Sequence, residues 1–135
     1  MGEREGAIIK RSDEEGYEFA RSLFEEFSLP LGLLPLENVI EGGFVTSTGY
    51  FWIVQEKRTE HKFKKIGMVA GYEKEISGYV CKRKVKKLKG VKAKRALFWY
   101  PLSEITVDDP PLEIVWFKAL IANVPFPADA FAADQ

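Results

Sequence analysis

Tyr17, Ala20, Phe24 and Phe27 recur three or four positions apart, the spacing of one helical face. Phe19 and Leu23 widen that stripe, while Glu14, Glu18, Glu25 and Glu26 occupy much of the remaining surface. Ser12 followed three residues later by Glu15 forms a capping box, Asp13 and Glu14 put carboxylates in the first turn where the helix dipole favours them, and Pro30 ends the pattern. These features predict an amphipathic helix over about residues 12–28, about four turns long, lying across a sheet.

After Leu29 the period falls towards two. Leu29-Pro30-Leu31-Gly32-Leu33-Leu34-Pro35 is too broken for a regular element and too apolar for water, so it reads as a buried connection. Strand-like runs follow at Gly42–Ser47, Tyr50–Lys57, Phe63–Tyr72, Ile76–Lys84, Val85–Leu88, Val91–Tyr100, Ile105–Val107 and Leu112–Lys118. Thr48-Gly49 and Lys89-Gly90 read as tight turns, with Leu88 and Val91 packed on either side of the second, and Asp108-Asp109-Pro110-Pro111 as a breaker. Pro125 and Pro127 stiffen the last segment, so that Phe126 or Phe131 is pinned to the body of the domain. One helix followed by many strands, without alternation of the two, predicts a mainly β (α+β) fold with an antiparallel sheet over about residues 38–122.

Composition changes this picture little. At 135 residues, 46% hydrophobic, the chain is long enough to bury a core as one domain, here residues 12–131 between a flexible start (1–11) and a short tail (132–135). One cysteine, Cys81, and one histidine, His61, exclude an internal disulfide and a zinc site of the usual Cys/His kind, and no motif calls for a cofactor. Leu29–Leu36 is too short and too proline-rich to span a membrane, the first residues lack the apolar run of a signal peptide, and Gly6 breaks the myristoylation pattern. The expectation is a cytoplasmic protein, with endomembrane association left open.

Charge changes it more. The 20 basic and 20 acidic residues cancel overall, but residues 1–55 hold 4 basic and 10 acidic residues, residues 56–95 hold 15 and 4, and residues 96–135 hold 1 and 6. Lys82, Arg83, Lys84, Lys86, Lys87, Lys89, Lys92, Lys94 and Arg95 crowd into 14 positions. Such a hairpin is either a lysine-guarded sheet edge or a face for an anionic partner, namely a membrane surface, an acidic protein or nucleic acid. Nucleic acid ranks lowest, because arginine is scarce in the run and Trp99 alternates onto the side of Val91, Ala93 and Leu97, which reads as core. If the acidic segments fold against the hairpin, its charge is structural; if they lie elsewhere, it is a binding face.

Catalytic signals are sparse. No serine has the Gly-x-Ser-x-Gly surround of a nucleophile elbow, and Glu41-Gly42-Gly43 has neither a Walker lysine nor dinucleotide spacing. An ester hydrolase would have to combine His61 with Ser77 or Ser47, and lysines flanking His61 disfavour its protonated form.

The order of Leu29-Pro30-Leu31-Gly32-Leu33-Leu34-Pro35, Tyr72 with Ile76-Ser77-Gly78, Lys87-Leu88-Lys89-Gly90-Val91-Lys92-Ala93-Lys94, and Pro125-Phe126-Pro127 with Phe131 resembles the plant family known as domain of unknown function 538, from about Ala20 to Phe131. His61-Lys62-Phe63, Lys86–Lys94 and Asp109-Pro110-Pro111 look most like its trichome-development branch. The resemblance implies an N-terminal helix on a curved, barrel-like sheet, a likeness to lipid-binding bactericidal/permeability-increasing proteins, roles in growth and stress responses, and an esterase-like activity. Together with the 18 aromatic residues, it leads to the expectation of a non-enzymatic binding protein for a lipid-like or other apolar ligand, or for an anionic membrane surface. The alternatives are an esterase using His61 and a regulatory module using the basic hairpin.

Overall fold

The computed structural model describes residues 2, 4–11, 13–109, 113–120 and 122–131. Helix α1 spans Asp13–Glu26 and buries Ala20, Leu23 and Phe24, as the periodicity predicts, while Glu18, Glu25 and Glu26 face solvent. It lies close against β2 (Val39–Phe44): a Cβ added to the buried Gly16 would stand 2.6 Å from Val39 Cγ1. The helix closes one turn before Pro30. Ser28 adopts φ 59°, and the amides of Ser28 and Leu29 donate to the carbonyls of Glu25 (3.2 Å) and Phe24 (2.9 Å). That is a Schellman closure, and it turns Leu29 into the core beside Phe24. The capping box at the other end involves Ser12, which lies outside the described residues, as do Pro110 and Pro111.

The remaining elements are strands β1 (Ile8–Lys10), β3 (Tyr50–Gln55), β4 (Thr59–Phe63), β5 (Met68–Cys81), β6 (Lys84–Arg95), β7 (Phe98–Val107), β8 (Ile114–Ala119) and β9 (Asn123–Pro127), with 3-10 turns at Leu31–Leu33 and Ala128–Phe131. Among the described residues the nine strands form one antiparallel sheet in the order β1-β2-β3-β5-β6-β7-β8-β9, with β4 also paired to β5. The fold is therefore mainly β with a single described helix. β1 falls within the stretch read from sequence as a flexible start. Pro125 and Pro127 sit in β9, an edge strand, where a missing N–H costs no ladder bond. Phe131 is fully buried and Phe126 half-buried, so the proline-stiffened end is pinned as expected.

The sheet curls without closing. Phe131 meets Phe63 of β4 at 4.9 Å between ring centroids and Phe117 of β8 at 5.2 Å. Those strands are four positions apart in the sheet, roughly 19 Å if it were flat, at ~4.8 Å per strand. One ring touches both because the sheet wraps around it. β1 and β9 nonetheless end the sheet unpaired with each other, so the expected barrel is an open, curved sheet.

Gly90 and its neighbours depart furthest from the sequence pattern. β5 and β6 are single long strands, joined by a turn at Lys82-Arg83 where Arg83 takes φ 62°. Lys89-Gly90 is no turn: Gly90 lies inside β6 at φ 90°, and a Cβ there would stand 2.3 Å from the Glu75 carbonyl oxygen. With Lys87 at φ 50°, it inserts extra residues into β6, so the core positions Val85, Leu88 and Val91 fall three apart instead of two. This broken alternation, together with the glycine, mimics a turn in the sequence. Facing it, the β5 register shifts between Tyr72 and Ser77 and again between Ser77 and Tyr79.

The predicted strand Phe63–Tyr72 is likewise split, into β4 and the start of β5 around the turn Lys64–Gly67. β3 and β4 run one after the other along β5 and break at Glu56–Arg58. Gln55, fully buried, ends β3 beside the β5 bulge, and its amide donates to the carbonyls of Tyr72 (2.9 Å) and Glu73 (3.0 Å). The Tyr72 hydroxyl donates to the Leu33 carbonyl (2.9 Å), fixing the 29–36 connection over the core, and burial pushes this phenol's pKa up.

Most buried apolar residues form one core on the concave face, under α1 and the 29–36 connection. A smaller cluster on the other face holds Val45, Tyr50 and Trp52. Arg4 covers it, its guanidinium 4.3 Å from the Trp52 ring, and the Trp52 indole N–H donates to Glu41 Oε2 (2.7 Å). That bond, with Arg11 and Arg4 near, holds the Glu41 carboxyl below the usual range. Trp99 also lies outside the core, half-buried beneath Arg58 and Lys94, whose cations stand 5.0 and 5.7 Å from its ring, and Leu97 is 85% exposed in the β6–β7 turn. The chain turns back at Ala96-Leu97, pairing Arg95 with Phe98 and Lys94 with Trp99, so Trp99 shares the outer face of Lys94 and not the core face of Ala93. Among the described residues no helix is long and apolar enough to cross a membrane.

Gly90→Ala is expected to destabilise the fold by about 1–3 kcal/mol through left-handed strain, and further through the contact with the Glu75 carbonyl. Chemical denaturation of the two proteins checks this, and equal midpoints would remove the bulge from its central role.

Candidate functional site

Curling leaves the concave face unfilled at one end. A groove of about 530 Å³ opens there between the start of β5 and the ends of β6 to β9. Met68, Leu102, Phe117, Val124 and Phe126 supply apolar walls, Tyr100 one hydroxyl, and the small Ala93 and Ala119 leave the floor open. The charged residues lining it are both basic, Lys94 and Arg95, at the end of β6. Lys94 turns its ammonium to the other face, over Trp99, whereas Arg95 shares the concave side with Ala93. An apolar trough with the Arg95 cation at its mouth suits a molecule that has an apolar body and an acidic head.

The basic run is dispersed by its strand. Arg83 is a latch between elements: its backbone N–H donates to the Phe27 carbonyl at the helix end (2.7 Å), its carbonyl accepts from Val107 (2.8 Å), and its guanidinium pairs with Asp109 (3.2 Å). Lys84 pairs with Glu104 and Lys92 with Glu73, each at 3.5 Å. Lys87 lies 5.5 Å from the Tyr79 ring centroid, as Lys94 lies over Trp99. Among the described residues Lys82, Lys86, Lys89 and Arg95 make no ion pair. Acidic residues from outside the run thus neutralise three of its cations, and Arg95 joins the groove.

The hydrolase candidates are kept apart. His61 sits in β4 opposite Ala70, a core residue, and its ring meets Phe63 at 4.6 Å, so it lies on the concave side. Ser77 is opposite Trp52, whose ring belongs to the cluster on the other face, and Ser47 is exposed in the turn between β2 and β3. The sheet itself stands between His61 and Ser77, and Ala70 and Ser77 are seven residues apart along β5. Among the described residues no group of three or more His, Cys, Asp or Glu side chains is arranged to hold a metal ion.

The profile of the family described as "Protein of unknown function, DUF538" matches residues 20–132, which takes in the sheet from β2 to β9 and all of the groove. The chain belongs to the DUF538 family. No curated protein and no solved structure matches it. The DUF538 match covers the segments that bend and fill the sheet: the 29–36 connection, the bulged β5–β6 pair and the 3-10 turn carrying Phe131.

Sequence reasoning missed most of the groove. Met68, Leu102, Phe117 and Val124 come from four strands and carry no common local motif. Their signal was present only as core-face alternation within each strand. Arg95 was visible as part of the basic run, but not as a member of this site.

Partial burial, and then the Lys64 ammonium, hold the His61 imidazole below its ordinary 6.5, against the opposing pull of Glu37. A depressed folded value means that the native state favours the neutral ring, so this contribution to stability is present above the unfolded value and declines as pH falls through the folded one. Because the chain has one histidine, proton NMR reads it without assignment. The expected midpoint is below 6.5, and one at or above 6.5 would contradict the placement of His61.

Proposed function

We propose that this DUF538 protein is a non-enzymatic binding protein that holds a lipid-like amphiphile, apolar in its body and acidic at its head, in the groove at the end of the concave face. The observation that carries this reading is the pairing of a mostly apolar lining with Arg95, whose side chain shares the concave face with Ala93. Each methylene buried against Met68, Leu102, Phe117 and Phe126 contributes about 0.8 kcal/mol. The Arg95 cation selects an acid over a neutral molecule of the same length. The volume is that of a small-molecule site, commonly about 300–1,000 Å³. By its likeness to the trichome-development branch, this binding would serve growth or stress responses.

The test is displacement of a fluorescent long-chain fatty acid in the absence of vesicles. Ala119→Trp, which fills the groove, is expected to weaken binding at least tenfold, about 1.4 kcal/mol. Arg95→Gln, at an exposed residue, is expected to weaken the acid while leaving a fatty alcohol of equal length unchanged. No displacement by the unaltered protein, or equal affinity in both variants, would refute the reading.

A further inference from the structure

In an antiparallel sheet every second turn lies at the same edge. Here the turns β4–β5 (Lys64–Gly67) and β6–β7 (Ala96-Leu97) and the β8–β9 connection that begins at Leu120 share the edge at which the groove opens. The opposite edge carries the turns at Val45–Gly49 and Lys82-Arg83 and the connection that leaves β7 through Asp108 and Asp109.

The two edges differ in chemistry. Leu97 is 85%, Phe98 64% and Leu120 98% exposed, and all three stand at tips of the groove edge. The other large exposed apolar residues, Ile8, Ile9 and Ile40, lie on β1 and β2. Lys64, Lys65, Lys94 and Arg95 flank the tips, and no acidic residue occurs within the three turns themselves. Asp129, which pairs with Lys65 at 3.5 Å, belongs to the 3-10 turn behind them. The opposite edge presents no large exposed apolar side chain among the described residues, and it carries Asp108, Asp109 and Glu113 beside Lys82 and Arg83.

Large apolar side chains held in water on rigid hairpin tips, ringed by cations and clear of acids, match the two layers of an anionic bilayer, acyl chains beneath phosphates. We propose that this edge docks on anionic membranes, with Leu97, Phe98 and Leu120 inserted among the acyl chains and Lys64, Lys65, Lys94 and Arg95 at the phosphates. The groove then opens towards the bilayer, and an acidic lipid passes between membrane and groove without crossing bulk water. That last step rests on the groove reading above; the docking does not. The inserting residues line neither the groove nor the core, so docking and ligand binding are separable.

Co-sedimentation with phosphatidylcholine vesicles, with and without phosphatidylserine, tests it. Binding is expected only with phosphatidylserine and is expected to weaken as salt rises. Leu97→Ser, Phe98→Ser and Leu120→Ser together should reduce it at least tenfold while leaving fatty-acid displacement in the absence of vesicles unchanged. Lys82→Glu with Lys86→Glu, away from this edge, should change vesicle binding less than twofold. An unaltered protein that ignores anionic vesicles, or a triple variant that binds them as well, overturns the proposal. So does an unaltered protein that sediments as a dimer through these tips and becomes a monomer in the triple variant, since the apolar patch would then belong to a second copy of the chain. If vesicle binding responds as stated while fatty-acid displacement fails, the groove reading falls and the docking stands.

Discussion

Where β6 passes the bulge of β5, two backbones come so close that only a residue without a side chain fits. Gly90, at φ 90°, faces the Glu75 carbonyl at a distance no Cβ tolerates. Both strands carry extra residues there, and paired irregularities bend a hairpin more sharply than ordinary twist does. Gln55 stabilises the same place from the side, its buried amide donating to the Tyr72 and Glu73 carbonyls of the bulged strand. Without this bend, Phe131 could not touch strands four positions apart.

The bend also explains where the open space lies. Helix α1, the 29–36 connection and the last 3-10 turn cover much of the concave face, and Phe131 seals its middle. The ends of β6 to β9 run beyond that cover, and small residues at 93 and 119 leave a trough instead of a closed core. The groove is thus the uncovered part of the core face, which is why its walls are apolar while its mouth takes the charge of the nearest strand end.

The zero net charge resolves in the same terms. Acidic residues do fold against part of the basic run: Asp109, Glu104 and Glu73 hold Arg83, Lys84 and Lys92 and tie the strands together. The helix glutamates Glu18, Glu25 and Glu26 remain in solvent. The run is therefore neither a single patch nor a merely solvated edge. Its β5–β6 turn end is structural, and at its far end Arg95 faces the groove while Lys94 covers Trp99.

Much of this was legible in local sequence. The spacing from Tyr17 to Phe27 located the helix, the lack of strand–helix alternation gave an antiparallel, mainly β domain, and Pro125 with Pro127 marked a stiff end that holds Phe131. Each of these depends on neighbours a few residues apart, which is the range over which periodicity and backbone restriction act. Gly90 was visible as a glycine that had to be one, but turn and bulge demand the same left-handed backbone, and only the partner strand distinguishes them. Trp99 and Leu97 were assigned to the wrong side because the run from Val91 to Tyr100 conceals a hairpin: the turn at Ala96-Leu97 pairs Lys94 with Trp99 and so exchanges the faces. The separation of His61 from Ser77, the assembly of the groove from five strands and the gathering of three hairpin tips at one edge are set by which strands pair and in which register. Those are properties of long-range contacts, and the tertiary structure alone decided them.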